Sequence, residues 1–260
     1  MTTEYDLLAD LYEYQYGRTT FDLDFYVSEA RAAEPRVLEL ACGTGRVTLP
    51  IARAGVPILG IDSSGNMLDR ARQKAAAEGD PPLPARFVQA DMRSFQFQER
   101  FGLAIIPARS FLHLLDPADQ VEALTNIHHH LKPDGKLILN LFVPSLAIIA
   151  QHTTSAAQAL KYLTTLEDTG RGTIAVWESR RYDVYRQRIT QTYRYEQLDD
   201  HGAVVSAWYR DLTLCYIWPR EMEHLLVRCG YEIEAAYGWF DRRPLDAESG
   251  EQIWVARRGE

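Results

Sequence analysis

Apolar runs alternate with helix-like segments over the first half of the chain. Five strand-like runs lie at residues 37–40, 56–61, 85–90, 101–107 and 136–142. Several of the stretches between them, at 46–54, 66–78 and 119–131, have the apolar spacing of an amphipathic helix. Strand and helix repeated in this order predict an α/β fold built on a parallel, doubly wound sheet.

The pattern changes after residue 143. Residues 173–181, 187–198 and 204–214 alternate polar and apolar positions, which predicts antiparallel hairpins. A helix at 220–229 and strands at 231–237 and 252–257 are expected to follow, and an aromatic-rich beginning predicts two helices, the second at 22–33. We therefore divide the chain into a helical lid (1–34), a core (35–143), a β-rich insertion that caps the substrate (144–217), and a closing helix with two strands (218–260).

Composition places the chain among globular proteins with enough apolar material for one domain. It has 260 residues, of which 46% are hydrophobic, and a formal net charge of −8. Because nonspecific nucleic-acid binding normally needs a basic excess, we expect no nucleic-acid partner. No apolar run approaches the ~18 residues of a membrane span, so we expect no membrane partner and a cytoplasmic location, with a homodimer left open.

Cysteines and histidines indicate neither a disulfide framework nor a metal site. The three cysteines at positions 42, 215 and 229 are odd in number and widely spaced, which suits a reducing compartment. Three consecutive histidines at 128–130 point in different directions around a helix, so they cannot all face one ion. We assign them to solvated surface and expect no metal.

The first apolar strand runs into a turn of small residues. Ala41, Gly43 and Gly45 fall at every second position, and the absence of large side chains lets the backbone approach a ligand. The amides of this turn and of the following helix favour an anionic or strongly polar group. A dinucleotide site would need a third glycine where Thr48 stands, which weakens the alternative of a nicotinamide-dependent oxidoreductase. A tight strand-to-helix connection without any ligand is the other interpretation.

An acidic residue ends the second strand. Asp62 lies where ligands bind in α/β sheets, outside the carboxyl ends of the strands, and its carboxylate can accept both hydroxyls of a ribose. An acidic cap on the following helix would explain it as well, although Ser63 or Ser64 can serve that purpose equally. Met67 falls in the first turn of that helix, near the same pocket.

A second acidic residue follows the third strand. Asp91 and a neighbouring backbone amide can read an adenine edge, and Met92 can cover a ring face with its polarisable side chain. Taken alone, Asp91 is more often a turn residue.

Four motifs now stand in order at strand ends. They are Glu-Leu-Ala-Cys-Gly-Thr-Gly at 39–45, Gly-Ile-Asp-Ser-Ser-Gly-Asn-Met-Leu at 60–68, Gln-Ala-Asp-Met at 89–92 and Leu-Lys-Pro-Asp-Gly-Lys-Leu at 131–137. Together they resemble the successive motifs of class I S-adenosylmethionine-dependent methyltransferases, over about residues 36 to 143. The resemblance implies a Rossmann-like sheet of seven strands, the last antiparallel, and S-adenosylmethionine as cofactor. It implies a cofactor site made of Glu39, Ala41, Gly43, Gly45, Asp62, Ser63, Met67, Asp91, Met92 and Pro107.

Candidate residues for the methyl acceptor lie on three separate segments. His113 follows the fourth strand, and its free pKa near neutrality makes it a candidate general base, although a structural histidine is the alternative. Arginines near the pocket mouth can hold a phosphate or carboxylate of the acceptor, solvated arginines being the alternative. We take Tyr16 and His113 as candidate catalytic residues, and Tyr12, Arg18, Arg109, Trp239 and Arg242 as candidate acceptor-binding residues.

The resemblance also narrows the reaction. The aromatic beginning and the insertion are loosely similar to small-molecule N-methyltransferases of the nucleotide-amino-sugar N,N-dimethyltransferase or glycine/sarcosine type. An unprotonated amine needs chiefly alignment with the sulfonium methyl, whereas a hydroxyl needs a base. We expect N-methylation of a small molecule. The alternatives are O-methylation of a small metabolite, a nicotinamide-dependent oxidoreductase, and a non-catalytic cofactor-binding subunit.

Overall fold

The structure, a computed structural model, describes residues 13–14, 16–17, 19–33, 36–79, 81–153, 159–169 and 172–259. Its helices are α1 (Leu23–Ala32), α2 (Thr48–Arg53), α3 (Gly65–Ala76), α4 (Pro117–His130), α5 (Leu146–Gln151) and α6 (Pro219–Arg228). Its strands are β1 (Val37–Leu40), β2 (Ile58–Asp62), β3 (Ala85–Gln89), β4 (Phe101–Ile106), β5 (Leu131–Phe142), β6 (Lys161–Thr169), β7 (Gly172–Asp183), β8 (Arg188–Leu198), β9 (Val204–Cys215), β10 (Tyr231–Tyr237) and β11 (Glu251–Arg258).

Seven strands form the main sheet, in the order β10-β11-β5-β4-β1-β2-β3. Strands β1 to β5 are paired in parallel, whereas β11 lies antiparallel to both β5 and β10. This confirms the expected doubly wound α/β sheet with an antiparallel last strand. The carboxyl ends of β1, β2, β4 and β5 therefore open at one edge, where ligands bind in this architecture.

The sheet is covered by helices on both faces, which explains why its central strands are apolar throughout. Along β4, Leu103 and Ile105 face a cluster that includes α1 and α2, while Ala104 and Ile106 face a cluster that includes α4 and α6. The alternation follows from the two-residue period of a strand. Two apolar layers thus sandwich the sheet and hold its carboxyl edge rigidly.

The insertion forms a separate antiparallel sheet in the order β6-β7-β8-β9. Three of its strands were predicted; β6 was missed, because the sequence offered no clear alternation there. The sheet has its own apolar cluster, which includes Ile174, Val176, Tyr193 and Tyr195. At one end it is tied to the core, where Arg188 pairs with Asp116 at 2.7 Å.

Strand β5 begins earlier than expected. Leu131 pairs with Phe101 and Lys136 with Leu103, so the intervening residues 132–135 bulge out of the ladder. The turn-forming residues predicted there are present, and Asp134 has a left-handed φ of 59°. A strand that is interrupted by a bulge replaces the predicted turn followed by a strand.

Two findings concern metals and membranes. Among the residues that the structure describes, no helix is long and apolar enough to cross a membrane, and no group of three or more His, Cys, Asp or Glu side chains could hold a metal ion.

The histidine run is not simply solvated surface, because Nε2 of His130 accepts the N–H of Phe97 at 3.1 Å. His130 thus fastens α4 to the loop that precedes β4.

Candidate active site

The glycine turn between β1 and α2 contains three left-handed residues. Ala41, Gly43 and Gly45 have φ values of 54°, 55° and 80°. A Cβ on Gly45 would meet Leu49 at 3.3 Å and Ala71 at 3.4 Å, whereas one on Gly43 would meet nothing within 4 Å. Packing therefore restricts Gly45, while Gly43 faces open space into which a ligand can come close to the backbone.

Glu39 is buried at the carboxyl end of β1, with 2% of its surface exposed. Thr48 Oγ1 donates to its Oε2 at 2.5 Å. Burial raises the pKa of Glu39 from 4.5 to about 8, and the Thr48 hydrogen bond and Arg46 only partly oppose this. Sequence reasoning treated Thr48 only as a missing glycine and did not find it as the partner of Glu39.

Asp62 is turned toward the glycine turn. Its Oδ2 accepts the N–H of Gly43 and its Oδ1 that of Ser64, both at 2.8 Å. The cap of α3 is Ser64, whose Oγ accepts the N–H of Met67. Asp62 is therefore not the helix cap, and the ribose contact of its carboxylate stays a prediction.

Two neighbouring residues differ in their surroundings. Ser63 is exposed, and its carbonyl accepts from Gln89 Nε2 at 2.8 Å. Met67, in the first turn of α3, is buried with 2% of its surface exposed, and its contact with the cofactor stays a prediction.

Asp91 is engaged by an arginine that the sequence analysis did not consider. Arg93 Nη2 donates to Asp91 Oδ2 at 2.6 Å, and the backbone N–H of Arg93 donates to Oδ1 at 2.9 Å. These hydrogen bonds hold the pKa of Asp91 below its usual range. Met92 is half-buried against the core. Asp91 is thus a turn residue, and its contact with adenine stays a prediction.

The loop after β4 is strained. Pro107 is buried, and the next two residues, Ala108 and Arg109, have left-handed φ values of 55° and 62° without being glycine. Such conformations cost free energy and cluster at functional sites. Ser110 supports the loop, since its Oγ donates to the carbonyl of Pro107 at 2.8 Å.

Arg109 is held by a buried carboxylate from the far end of the chain. Its Nε donates to Glu251 Oε1 at 3.0 Å, and Asn140 Nδ2 donates to Oε2 of the same residue at 3.1 Å. Tyr26 of α1 in turn donates to Asn140 Oδ1 at 3.1 Å. Four distant segments therefore meet beside the loop after β4. No local sequence pattern indicates this cluster, because its members lie up to 225 positions apart.

His113 ends a short 3₁₀ turn at residues 110–113. Burial, and secondarily the positive charge of Arg210 on β9, lower its pKa to about 4. At neutral pH the imidazole is therefore uncharged and less basic than a free histidine, and its catalytic role stays a prediction. The side chain is a hydrogen-bonding group there and a weak base.

Tyr16 connects the beginning of the chain to the insertion. Its hydroxyl forms a hydrogen bond with that of Tyr193 on β8, and Arg210, Glu178 and Arg109 are close enough to influence its pKa. Desolvation raises the pKa of both phenols, so both are protonated at neutral pH. Tyr12 and Arg18 lie outside the described residues.

Trp239 and Arg242 belong to a loop that packs on α1. Trp239 stacks on Phe21 with ring centroids 5.2 Å apart. Arg242 pairs with Glu29 at 2.7 Å and lies over Phe25. The opposite charge on α1 holds Arg242 at that helix, and its contact with the acceptor stays a prediction.

Residues 37–135 match a family described as "Methyltransferase domain", a segment that spans β1 to the bulge of β5. Over this segment the chain is therefore similar to methyltransferase domains, as the four ordered motifs indicated. The match supports S-adenosylmethionine as the cofactor in preference to a nicotinamide.

Two curated relatives share the methyltransferase domain. A putative methyltransferase, YqeM, of Bacillus subtilis is 32% identical over 139 residues, which cover 53% of this chain and 55% of that protein. A glycine/sarcosine N-methyltransferase of Aphanothece halophytica is 32% identical over 128 residues, covering 48% and 47%. The chain thus matches about half the length of these curated relatives.

The similarity to solved structures extends over the whole chain. The CcbJ methyltransferase of Streptomyces caelestis is 25% identical, with a TM-score of 0.78, and the match covers 100% of this chain and 99% of that one. The similarity therefore includes the four-stranded sheet as well as the methyltransferase domain.

Proposed function

We propose that the protein transfers the methyl group of S-adenosylmethionine to an amine of a small molecule. The observation that carries this proposal is that Tyr16, which is hydrogen-bonded to Tyr193, and the uncharged His113 both lie close enough to Arg210 for its charge to lower their pKa values. Three uncharged polar groups and one cation can orient a polar acceptor there by hydrogen bonds.

The cofactor is proposed to lie along the carboxyl edge of β1, β2 and β4. Its ammonium is assigned to Glu39, because a buried carboxyl whose pKa is raised gains most from a cation nearby. Ala41, Gly43, Gly45 and Pro107 would border the methionine part. The ribose is assigned to Asp62 and Ser63, and the adenine to Asp91 and Met92, as the resemblance implies.

An amine acceptor fits the surroundings better than a hydroxyl. A free amine already has the lone pair that attacks the methyl carbon, so the site has to align it and exclude water. A hydroxyl must lose its proton to a base as it attacks. His113, with a pKa of about 4, is too weak a base for that role. Its proposed role is to accept a hydrogen bond from the acceptor and orient it.

The acceptor is proposed to sit between the methyltransferase domain and the four-stranded sheet. Tyr16 of the lid and Arg109 of the loop after β4 would cover the acceptor, and His113 would also contact it. The relative named glycine/sarcosine N-methyltransferase supports an amine of low molecular weight. Exclusion of water by such a cover protects the sulfonium and brings the nucleophile close.

Acceptor screening with isotopically labelled S-adenosylmethionine tests the proposal. The probes are glycine, sarcosine, free and nucleotide-linked amino sugars, and for each amine a matched alcohol in which a hydroxyl replaces the amino group. We expect methylated product from an amine and none from its matched alcohol, identified by mass spectrometry. Methylation of an alcohol without methylation of its amine partner contradicts the proposal and favours the O-methyltransferase.

A further inference from the structure

An ion pair joins the glycine turn to the beginning of α1. Arg46, directly after Gly45, donates from Nη1 to Asp22 Oδ1 at 2.6 Å and from Nη2 to Oδ2 at 2.7 Å. Its Nη1 also donates to the carbonyl of Thr19 at 3.1 Å. Both side chains are buried, with 9% and 3% of their surfaces exposed. Neither residue was among the candidate site residues.

The side chain of Asp22 forms this ion pair in place of a hydrogen bond that would cap α1. Asp22 is the N-cap of α1, where an aspartate normally accepts an N–H from the first turn of the helix, and its side chain makes no such hydrogen bond. The carboxylate is instead turned to the guanidinium, with both oxygens engaged. The planar, two-pronged geometry is the strongest arrangement for an arginine and a carboxylate.

Arg46 has a second carboxyl within reach of its charge. Glu39 is close enough for Arg46 to lower its pKa and for Asp22 to raise it. Without Asp22 the buried guanidinium would need another anionic partner, because a buried charge without one is very unfavourable, and Glu39 is a carboxyl that its charge already reaches. The charged or titratable groups around Glu39 are Asp22, Tyr26, Cys42, Arg46 and Asp62.

We propose that Asp22 is a positioning residue for the cofactor: by binding Arg46 through both carboxylate oxygens, it keeps this guanidinium off Glu39 and leaves Glu39 to receive the cofactor's ammonium. The inference rests on the assignment of that ammonium to Glu39. It also makes the beginning of α1 part of the cofactor site, although Asp22 itself does not touch the cofactor.

The test uses S-adenosylhomocysteine, which carries the same ammonium, and calorimetry at pH 6 in buffers of different ionisation enthalpy. The cofactor's amino group, with a pKa of about 7.7–8.0, is charged at this pH. Glu39 is protonated before binding, so the wild-type protein releases about one proton when the ammonium ionises it. In Asp22→Asn, Arg46 ionises Glu39 beforehand. We expect proton release to fall close to zero and the Kd to rise about tenfold or more.

A second-site variant separates positioning from support of the fold. In Asp22→Asn combined with Arg46→Gln no cation competes for Glu39, so we expect proton release to return and the Kd to come within about threefold of wild type. Replacing both partners of a buried pair is also far less destabilising than removing one, so the double variant decides the question even where Asp22→Asn fails to fold. Arg53→Gln, which removes an exposed pair with Glu78, is the matched control and leaves binding unchanged.

Three results overturn the proposal. They are wild-type affinity and proton release in Asp22→Asn, a double variant that binds as weakly as Asp22→Asn or more weakly, and a wild-type protein that binds without releasing a proton. None of them depends on the acceptor, so failure of the amine screen and failure of this inference are separate outcomes.

Discussion

Replacing Glu39 by glutamine is expected to stabilise the protein while weakening its cofactor site. The carboxyl binds its proton more tightly in the folded state than in the unfolded chain, since its pKa rises from 4.5 to about 8. Its contribution to stability is therefore fully present below about pH 4.5 and is lost as the pH rises through 8. Glutamine carries no charge at any pH and can still accept the hydrogen bond from Thr48, so the variant does not lose stability as the pH rises.

The size of this stability difference follows from the shift in the pKa of Glu39 between the unfolded and the folded state. One pKa unit corresponds to about 1.4 kcal/mol, which bounds the total loss at about 5 kcal/mol. Glu39→Gln should therefore be more stable than wild type by about 1 kcal/mol at pH 5 and about 4 kcal/mol at pH 8. For a chain of this length, that change in advantage between the two pH values corresponds to roughly 6–12 °C in Tm.

Urea or thermal unfolding of the cofactor-free protein at pH 5 and pH 8 measures this difference. Glu78→Gln is the control, because Glu78 is exposed and Arg53 lowers its pKa, so its contribution does not change between these pH values. Calorimetry on Glu39→Gln should show S-adenosylhomocysteine binding weakened by about 1.5–3 kcal/mol, the range for a hydrogen bond to a charged group. If the stability advantage is the same at both pH values, Glu39 is not held uncharged and the reasoning is refuted.

Three further predictions concern the cofactor, the lid and the loop after β4. Asp62→Ala should weaken S-adenosylhomocysteine binding by about 1.5–3 kcal/mol in calorimetry, through loss of the ribose hydrogen bonds, while the protein stays folded; unchanged affinity would mean that Asp62 serves only the neighbouring backbone amides. Deleting residues 1–18 should abolish methyl transfer but retain most of the cofactor affinity, because Asp22 remains. Turnover at the full-length rate would contradict the assignment of these residues to a lid. The variant Tyr16→Phe separates the role of the Tyr16 hydroxyl from the packing of its ring. The pH–rate profile should show no step near pH 6.5 from His113, whose imidazole is already uncharged above about pH 4; a step there that disappears in His113→Asn would refute this.

The sequence by itself determined the main sheet and the cofactor. Buried parallel strands are continuous apolar runs, and the turn after β1 needs small residues at fixed positions, so both leave local patterns that can be read without a structure. The order of four such patterns was enough to indicate the class of cofactor. Strand β6 and the early beginning of β5 were missed because their pairing is set by neighbouring strands and not by their own sequence.

Only the tertiary structure determined the protonation states of the candidate site residues and the contacts that their side chains make. The pKa of Glu39 near 8 and that of His113 near 4 come from desolvation, which depends on everything packed around each side chain. The contact of Tyr16 with Tyr193 joins residues 177 positions apart. The ion pair of Arg242 with Glu29 on α1 likewise joins segments that are far apart in sequence. No local pattern records such contacts, because they arise when segments distant in sequence are brought together by the packing of the sheet.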